Sequence, residues 1–132
     1  MAANPVLVDS SYYIKLLRAK RDPLKELAPL AADRDLAVCG IIRCEVGRAL
    51  LHPNTLKKFQ SFWDVMVNVP TDNALWQEAE DLLWSLDRKG VLLPVTDVVI
   101  ACCAKRINAV VLTHDNHFKS IPGLRSVDQI DL

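Results

Sequence analysis

Short apolar runs alternate with helix-length segments along this chain, and few folds satisfy that pattern. Val6–Val8, Leu36–Cys39 and Ala109–Thr113 are too short for helices, and their apolar residues are consecutive rather than alternating. Strands of that kind need cover on both faces, and helices between them act as crossovers. The pattern predicts an α/β fold with a mostly parallel central sheet between helical layers. The intervening segments have helical periodicity: Ser10–Arg21, Gly40–Leu51, Asn54–Asp64, a long helix capped by Thr71-Asp72 and stopped by Lys89-Gly90, and a buried helix capped by Thr96. Leu24–Ala32 is also helical in pattern, although Pro29 should kink or split it. Shorter strands are expected at Val65–Val69 and Arg125–Val127. At 132 residues, the chain is expected to form one domain, residues 1–132.

Four acids occupy the handover points. Asp9 follows Val6–Val8, Glu45 lies on the helix after Leu36–Cys39, Asp97 follows Leu92–Thr96, and Asp115 follows Val110–His114. Parallel strands present their carboxyl ends to one crevice, so acids at successive strand ends become neighbours. Asp9, Asp97 and Asp115 each have an ordinary explanation as helix caps. Glu45 does not, because it lies with Ile41 and Ala49 in one i, i+4, i+8 row beside Ile42, Val46 and Leu50. An inward carboxylate is costly unless it is paired or coordinated; Arg43 and Arg48 are the alternative partners. Two carboxylates about 5 Å apart repel by roughly 3 kcal/mol at an effective dielectric of about 20, so a cluster of four calls for a cation. All-oxygen ligands suit Mg²⁺ or Mn²⁺. His114 and His117 would add nitrogen ligands for zinc, a spacing that more often marks a polar turn. A hydrated dication beside a phosphodiester is nuclease chemistry.

Charge and cysteine usage narrow the classes further. Acidic and basic side chains balance at 16 each, so gathering four acids in one cleft leaves four net positive charges elsewhere, which favours an approaching polyanion. Lys57, Lys58, Lys105 and Arg106 are candidate phosphate contacts. The longest apolar run, Val98–Ala104, is too short to span a membrane, and the first residues lack a signal-peptide pattern, so a cytoplasmic protein is expected. Cys39, Cys44, Cys102 and Cys103 form no C-x-x-C pair and are expected to be buried free thiols. Trp76 and Trp84 share a row off the inner stripe of the long helix and form a candidate partner surface.

Several segments together resemble a PIN-domain ribonuclease of the VapC-like toxin type. They are Val8-Asp9-Ser10-Ser11, Cys44-Glu45-Val46-Gly47-Arg48, Thr96-Asp97, and Val111-Leu112-Thr113-His114-Asp115-Asn116-His117-Phe118 followed by Ile121-Pro122-Gly123-Leu124. The likeness covers nearly the whole chain and implies a three-layer α/β/α PIN-like fold. It also implies an acidic metal site of Asp9, Glu45, Asp97 and Asp115, with Ser10 or Thr113 hydroxyls near the substrate. The expected activity is Mg²⁺- or Mn²⁺-dependent RNA hydrolysis, with a cognate antitoxin as partner and a homodimer as assembly. Members frequently carry Asn where Ser11 stands, and some have a further acid near His117.

Two other classes compete. A non-catalytic PIN-like RNA- or protein-binding module would keep the fold without need of the acids. A phospho-accepting receiver domain also gathers acids on a parallel sheet, but it should have an early acidic pair and a Lys after the last core strand, whereas Ser10-Ser11 follow Asp9 and His114 follows Thr113. For the antitoxin, the wide apolar stripe of Tyr12, Tyr13, Ile14, Leu16 and Leu17, with Leu24, Leu27 and Leu30, predicts a groove for an amphipathic helix.

Overall fold

The computed structural model describes residues 3–132. Five strands form one sheet: β1 (Val6–Val8), β2 (Leu36–Cys39), β3 (Val67–Val69), β4 (Val110–Leu112) and β5 (Ser126–Val127). Their order is β3-β2-β1-β4-β5, and every pairing is parallel. The helices are α1 (Ser10–Arg18), α2 (Pro23–Asp33), α3 (Gly40–Gly47), α4 (Pro53–Asp64), α5 (Asn73–Arg88) and α6 (Val95–Arg106), with a 3₁₀ turn at Asn116–Ser120. The architecture is three-layer α/β/α, with the parallel sheet between helical layers.

Burial explains the apolar runs. Every residue of β1, β2 and β4 is buried, as strands covered on both faces must be. Helix α6 is buried from Val98 through Ala104 and packs along α5. Tyr13, Phe59 and Trp63 form an aromatic cluster beneath α1 and α4, and the Trp63 Nε1–H donates to Tyr13 Oη at 3.2 Å. Burial raises the Tyr13 phenol well above its ordinary range, so this hydroxyl stays neutral.

Several boundaries depart from the periodicity for identifiable reasons. Helix α1 stops at Arg18 because Lys20 turns left-handed (φ 58°), and Arg21 N and Lys20 N return to Leu16 O and Leu17 O in a Schellman arrangement. Helix α2 runs unbroken through Pro29, which is exposed along with Lys25 one turn earlier, so the lost hydrogen bond faces water. Helix α3 ends at Gly47, and Arg48–Leu50 form a turn. Leu92–Thr96 is no strand: Leu92 is 77% exposed, Pro94 rather than Thr96 is the N-cap, and α6 begins at Val95. Cys44 is an exposed thiol; Cys39, Cys102 and Cys103 are buried.

Candidate active site

The sheet changes direction at β1. From it the chain proceeds outward to β2 and β3 on one side, then returns to place β4 on the other. A crevice opens at the carboxyl ends of strands where the order reverses in this way. Asp9 and Thr113 stand there, one residue past Val8 and Leu112, which pair across the two strands, and Asp9 N donates to Leu112 O at 2.9 Å.

Asp9 is 3% exposed and caps α1. Its Oδ2 accepts from Ser11 N (3.3 Å), Ser11 Oγ (2.7 Å) and Thr113 Oγ1 (2.9 Å). The Ser11 and Thr113 hydroxyls in turn accept from His114 N (3.1 Å) and Asp115 N (2.9 Å). Both hydroxyl protons are used on Asp9, so the 3.0 Å approach of the two oxygens is proximity rather than a further bond. The network saturates Oδ2 and leaves Oδ1 out of every one of these bonds, oriented by its partner oxygen. Ser11 ties α1 to the turn after β4.

Glu45 on α3 accepts from Ser10 Oγ at 2.8 Å. Its row is not the core row: Ile42 and Val46 are buried, whereas Ala49 is exposed and Glu45 half-buried. Arg43 does not neutralise it, being engaged with Asp64 at 3.0 Å and Asn68 at 3.2 Å. The Ser10 and Thr113 hydroxyls, expected near substrate, are each occupied by an acid.

Asp97 enters from the first turn of α6, and Asp115 caps the 3₁₀ turn by accepting from His117 N at 2.9 Å. His117 Nδ1 lies 2.7 Å from Asp97 Oδ2 and 3.1 Å from Asp115 Oδ1. The Asp97 carboxyl is pushed above its ordinary range, chiefly by burial and further by the nearby Asp115 and Asp9 charges, against the pull of His117. The His117 imidazole is raised, first by its hydrogen bond to Asp97.

Asp9, Glu45, Asp97 and Asp115 line one cavity of about 460 Å³ together with Ser10, Ser11 and His114. Among the described residues no Lys or Arg forms an ion pair with any of the four acids. Asp97, Asp115 and His117 each offer a ligand atom, all within 4.8 Å of one another. Opposite ligands of a hexacoordinate dication at about 2.1 Å would stand about 4.2 Å apart, so this donor set fits a divalent ion with small side-chain adjustment.

Sequence spacing led to the acids and passed over other members of the site. His117 carries the weight of a polar turn in sequence, and only the fold brings it to Asp97. Lys15 and Arg18 line the cavity, whereas Lys105 and Arg106 lie at the opposite end of α6, engaged with Pro122 O and with Asp72 and Glu78. Lys57 and Lys58, on α4, are not among its lining residues. The available signal was the Ser11, Lys15, Arg18 spacing of i, i+4, i+7 on α1.

A parallel sheet with four acids at its switch point defines the class: an α/β protein with a carboxylate-lined crevice at the carboxyl ends of its strands. The sequence matches the PIN domain family over residues 6–124, and the chain belongs to that family, whose members are generally nucleases. Among solved structures, it resembles DNA-bound VapBC from Salmonella typhimurium with TM-score 0.76 and 22% identity over 95% of this chain and 98% of that one. It is likewise similar to VapBC2 from Rickettsia felis, bound to a DNA fragment from its promoter (TM-score 0.73, 18% identity, 93% and 97% covered). VapBC-1 from nontypeable Haemophilus influenzae gives TM-score 0.72 and 18% identity, with 93% and 96% covered. Among curated proteins none matches the sequence significantly.

Proposed function

We propose that this chain is a divalent-metal-dependent endoribonuclease, the toxin of a toxin–antitoxin pair, hydrolysing RNA phosphodiester bonds in the cytoplasm. The observation that carries this is the convergence of four acids, unpaired by Lys or Arg, on one cavity at the sheet's switch point. Asp9, Asp97 and Asp115 would hold Mg²⁺ or Mn²⁺, and Glu45, oriented by Ser10, would complete the site and orient the attacking water. When bound, the ion supplies an acidified water and neutralises charge developing on the phosphate. Lys15 and Arg18 draw the RNA backbone toward the acids. Ser10 and Thr113 act by positioning acids, at the edge of the substrate.

A second cavity supports an antitoxin site. About 630 Å³ in volume, it is lined by Ile14, Leu17, Leu50 and Leu51 and shares Ile14, Arg18 and Glu45 with the acidic one. Its place differs from the groove expected in sequence: Leu16, Leu27 and Leu30 are in the core, and the open side of α1 faces the α3–α4 turn rather than α2. An amphipathic antitoxin helix fits there, with a basic side chain reaching the acids. The VapBC neighbours support such a partner. A homodimer would use other apolar surface, for which exposed Trp76 and Trp84 are available on α5.

The deciding experiment incubates the purified protein with single-stranded RNA and Mn²⁺ or Mg²⁺ and sequences the 5′ ends produced. Cleavage abolished by chelation and by Asp97→Asn is expected. RNA retained but never cut, with either ion, would favour a non-catalytic binding module instead.

A further inference from the structure

The Tyr12 and His114 rings stack with centroids 5.3 Å apart and planes 6° from parallel, at the mouth of the acidic cavity. Two aromatic faces in contact are separated by about 3.5 Å, so at this centroid distance the rings are offset laterally by about 4 Å. Tyr12 is half-buried and does not line the cavity, whereas His114 is exposed and does. Tyr12 therefore meets one edge of the imidazole in a slipped, parallel contact and leaves most of both its faces open. The backbone under His114 is fixed as well, since its N–H donates to Ser11 Oγ, itself bonded to Asp9. An exposed ring held both by a stack and by its backbone loses little freedom when a further ring settles on it.

We propose that His114, held against Tyr12, is a stacking platform for an unpaired nucleobase of the RNA strand, next to the phosphate that the acids engage. The inference rests on the ribonuclease reading above. His114 directly precedes Asp115 in the chain, so a base stacked on it belongs to a nucleotide flanking that phosphate. A base in a duplex is stacked on its neighbours and cannot also lie on the imidazole, so the platform selects single-stranded or looped RNA at the cut. Aromatic faces accept any base and favour the larger purines by contact area, so the platform sets a purine preference at that nucleotide without reading base edges.

The test uses short single-stranded oligoribonucleotides carrying 2-aminopurine at successive positions, bound in chelator so that no cleavage occurs. Parent protein and His114→Phe should quench the fluorophore at one position, and His114→Ala should lose that quenching and bind about tenfold more weakly or worse. His114→Phe separates stacking from a structural role, because it restores the ring while removing the imidazole nitrogens. With metal present, the His114→Ala loss should fall in KM rather than kcat. An abasic nucleotide at the quenched position should weaken the parent equally and add nothing to His114→Ala. Additive losses, or parent-like affinity and quenching in His114→Ala, would overturn the platform while leaving cleavage by the parent intact. Quenching without cleavage in Mn²⁺ or Mg²⁺ would uphold the platform and refute the nuclease.

Discussion

His117 Nδ1 lies 2.7 Å from Asp97 Oδ2, which sets an imidazole raised by that contact against a carboxyl raised chiefly by burial and further by the Asp115 and Asp9 charges. In the absence of metal, the two groups trade protonation states in a way that stability measurements can read.

The folded-state pKa of His117 is raised above its unfolded value, so the pair's stabilisation is fully present below the ordinary histidine range and is lost as pH rises through the folded pKa. Asp97 is also raised, so the folded state holds protons there more tightly too, and stability again declines as pH rises through its range. Thermal melting in chelator should therefore fall from mildly acidic toward alkaline pH across the histidine window. His117→Gln should flatten that slope. A parent-like slope in His117→Gln would place the titration elsewhere.

Mn²⁺ should raise the melting temperature, since a ligand at one hundred times its Kd contributes about 2.7 kcal/mol to a native state it alone recognises. The ion and the His117 proton compete for Asp97 and Asp115, so the shift should grow between pH 6 and 8. Asp97→Asn should shrink it sharply and abolish cleavage, while its metal-free melting temperature holds or rises by up to a few degrees as a raised, crowded carboxylate is removed. An ion shift in Asp97→Asn equal to the parent's would locate binding outside this cavity.

Two substitutions at Asp9 should part company. Asp9→Asn keeps an acceptor for Ser11 and Thr113 and a helix cap, so melting should stay near the parent's while cleavage disappears. Asp9→Ala strands two hydroxyls and the cap, and should cost about 1–3 kcal/mol in denaturant unfolding. Equal stability of the two variants would mean the hydroxyl network is not oriented by Asp9.

Leu17→Asp with Leu51→Asp should abolish co-purification with the product of the adjacent reading frame while RNA cleavage persists. Leu51 is 88% exposed and Leu17 is half-buried against the core's edge, so the double variant is tested well below its own measured melting temperature. Leu16→Asp is a poor probe, because an unpaired charge at that buried position should cost roughly 3 kcal/mol or more. Undiminished partner binding by the folded double variant would remove this groove from consideration.

The chain alone determined whatever depends on neighbours in sequence. Runs such as Val6–Val8 and Val110–Leu112 can only be doubly covered strands, and the stripe through Leu75, Ala79 and Leu86 can only be an inner helix face. Asp9 and Asp115 stood out because turn and cap chemistry is local, and Glu45 because a carboxylate beside an apolar stripe is locally anomalous. Leu92–Thr96 marks the limit of such local reading: the apolar run ahead of Asp97 leads into an N-cap at Pro94 and a helix from Val95 rather than a helix capped by Thr96. Tertiary structure decided the rest. The order β3-β2-β1-β4-β5 brings Asp9 beside Thr113, 104 positions apart, and the 3₁₀ turn carries His117 to Asp97 on a different element. Which flank of α1 stays open depends on where α2 and α3 dock, and those contacts are long-range. Periodicity shows that a helix has surplus apolar surface, but only packing selects the part left uncovered.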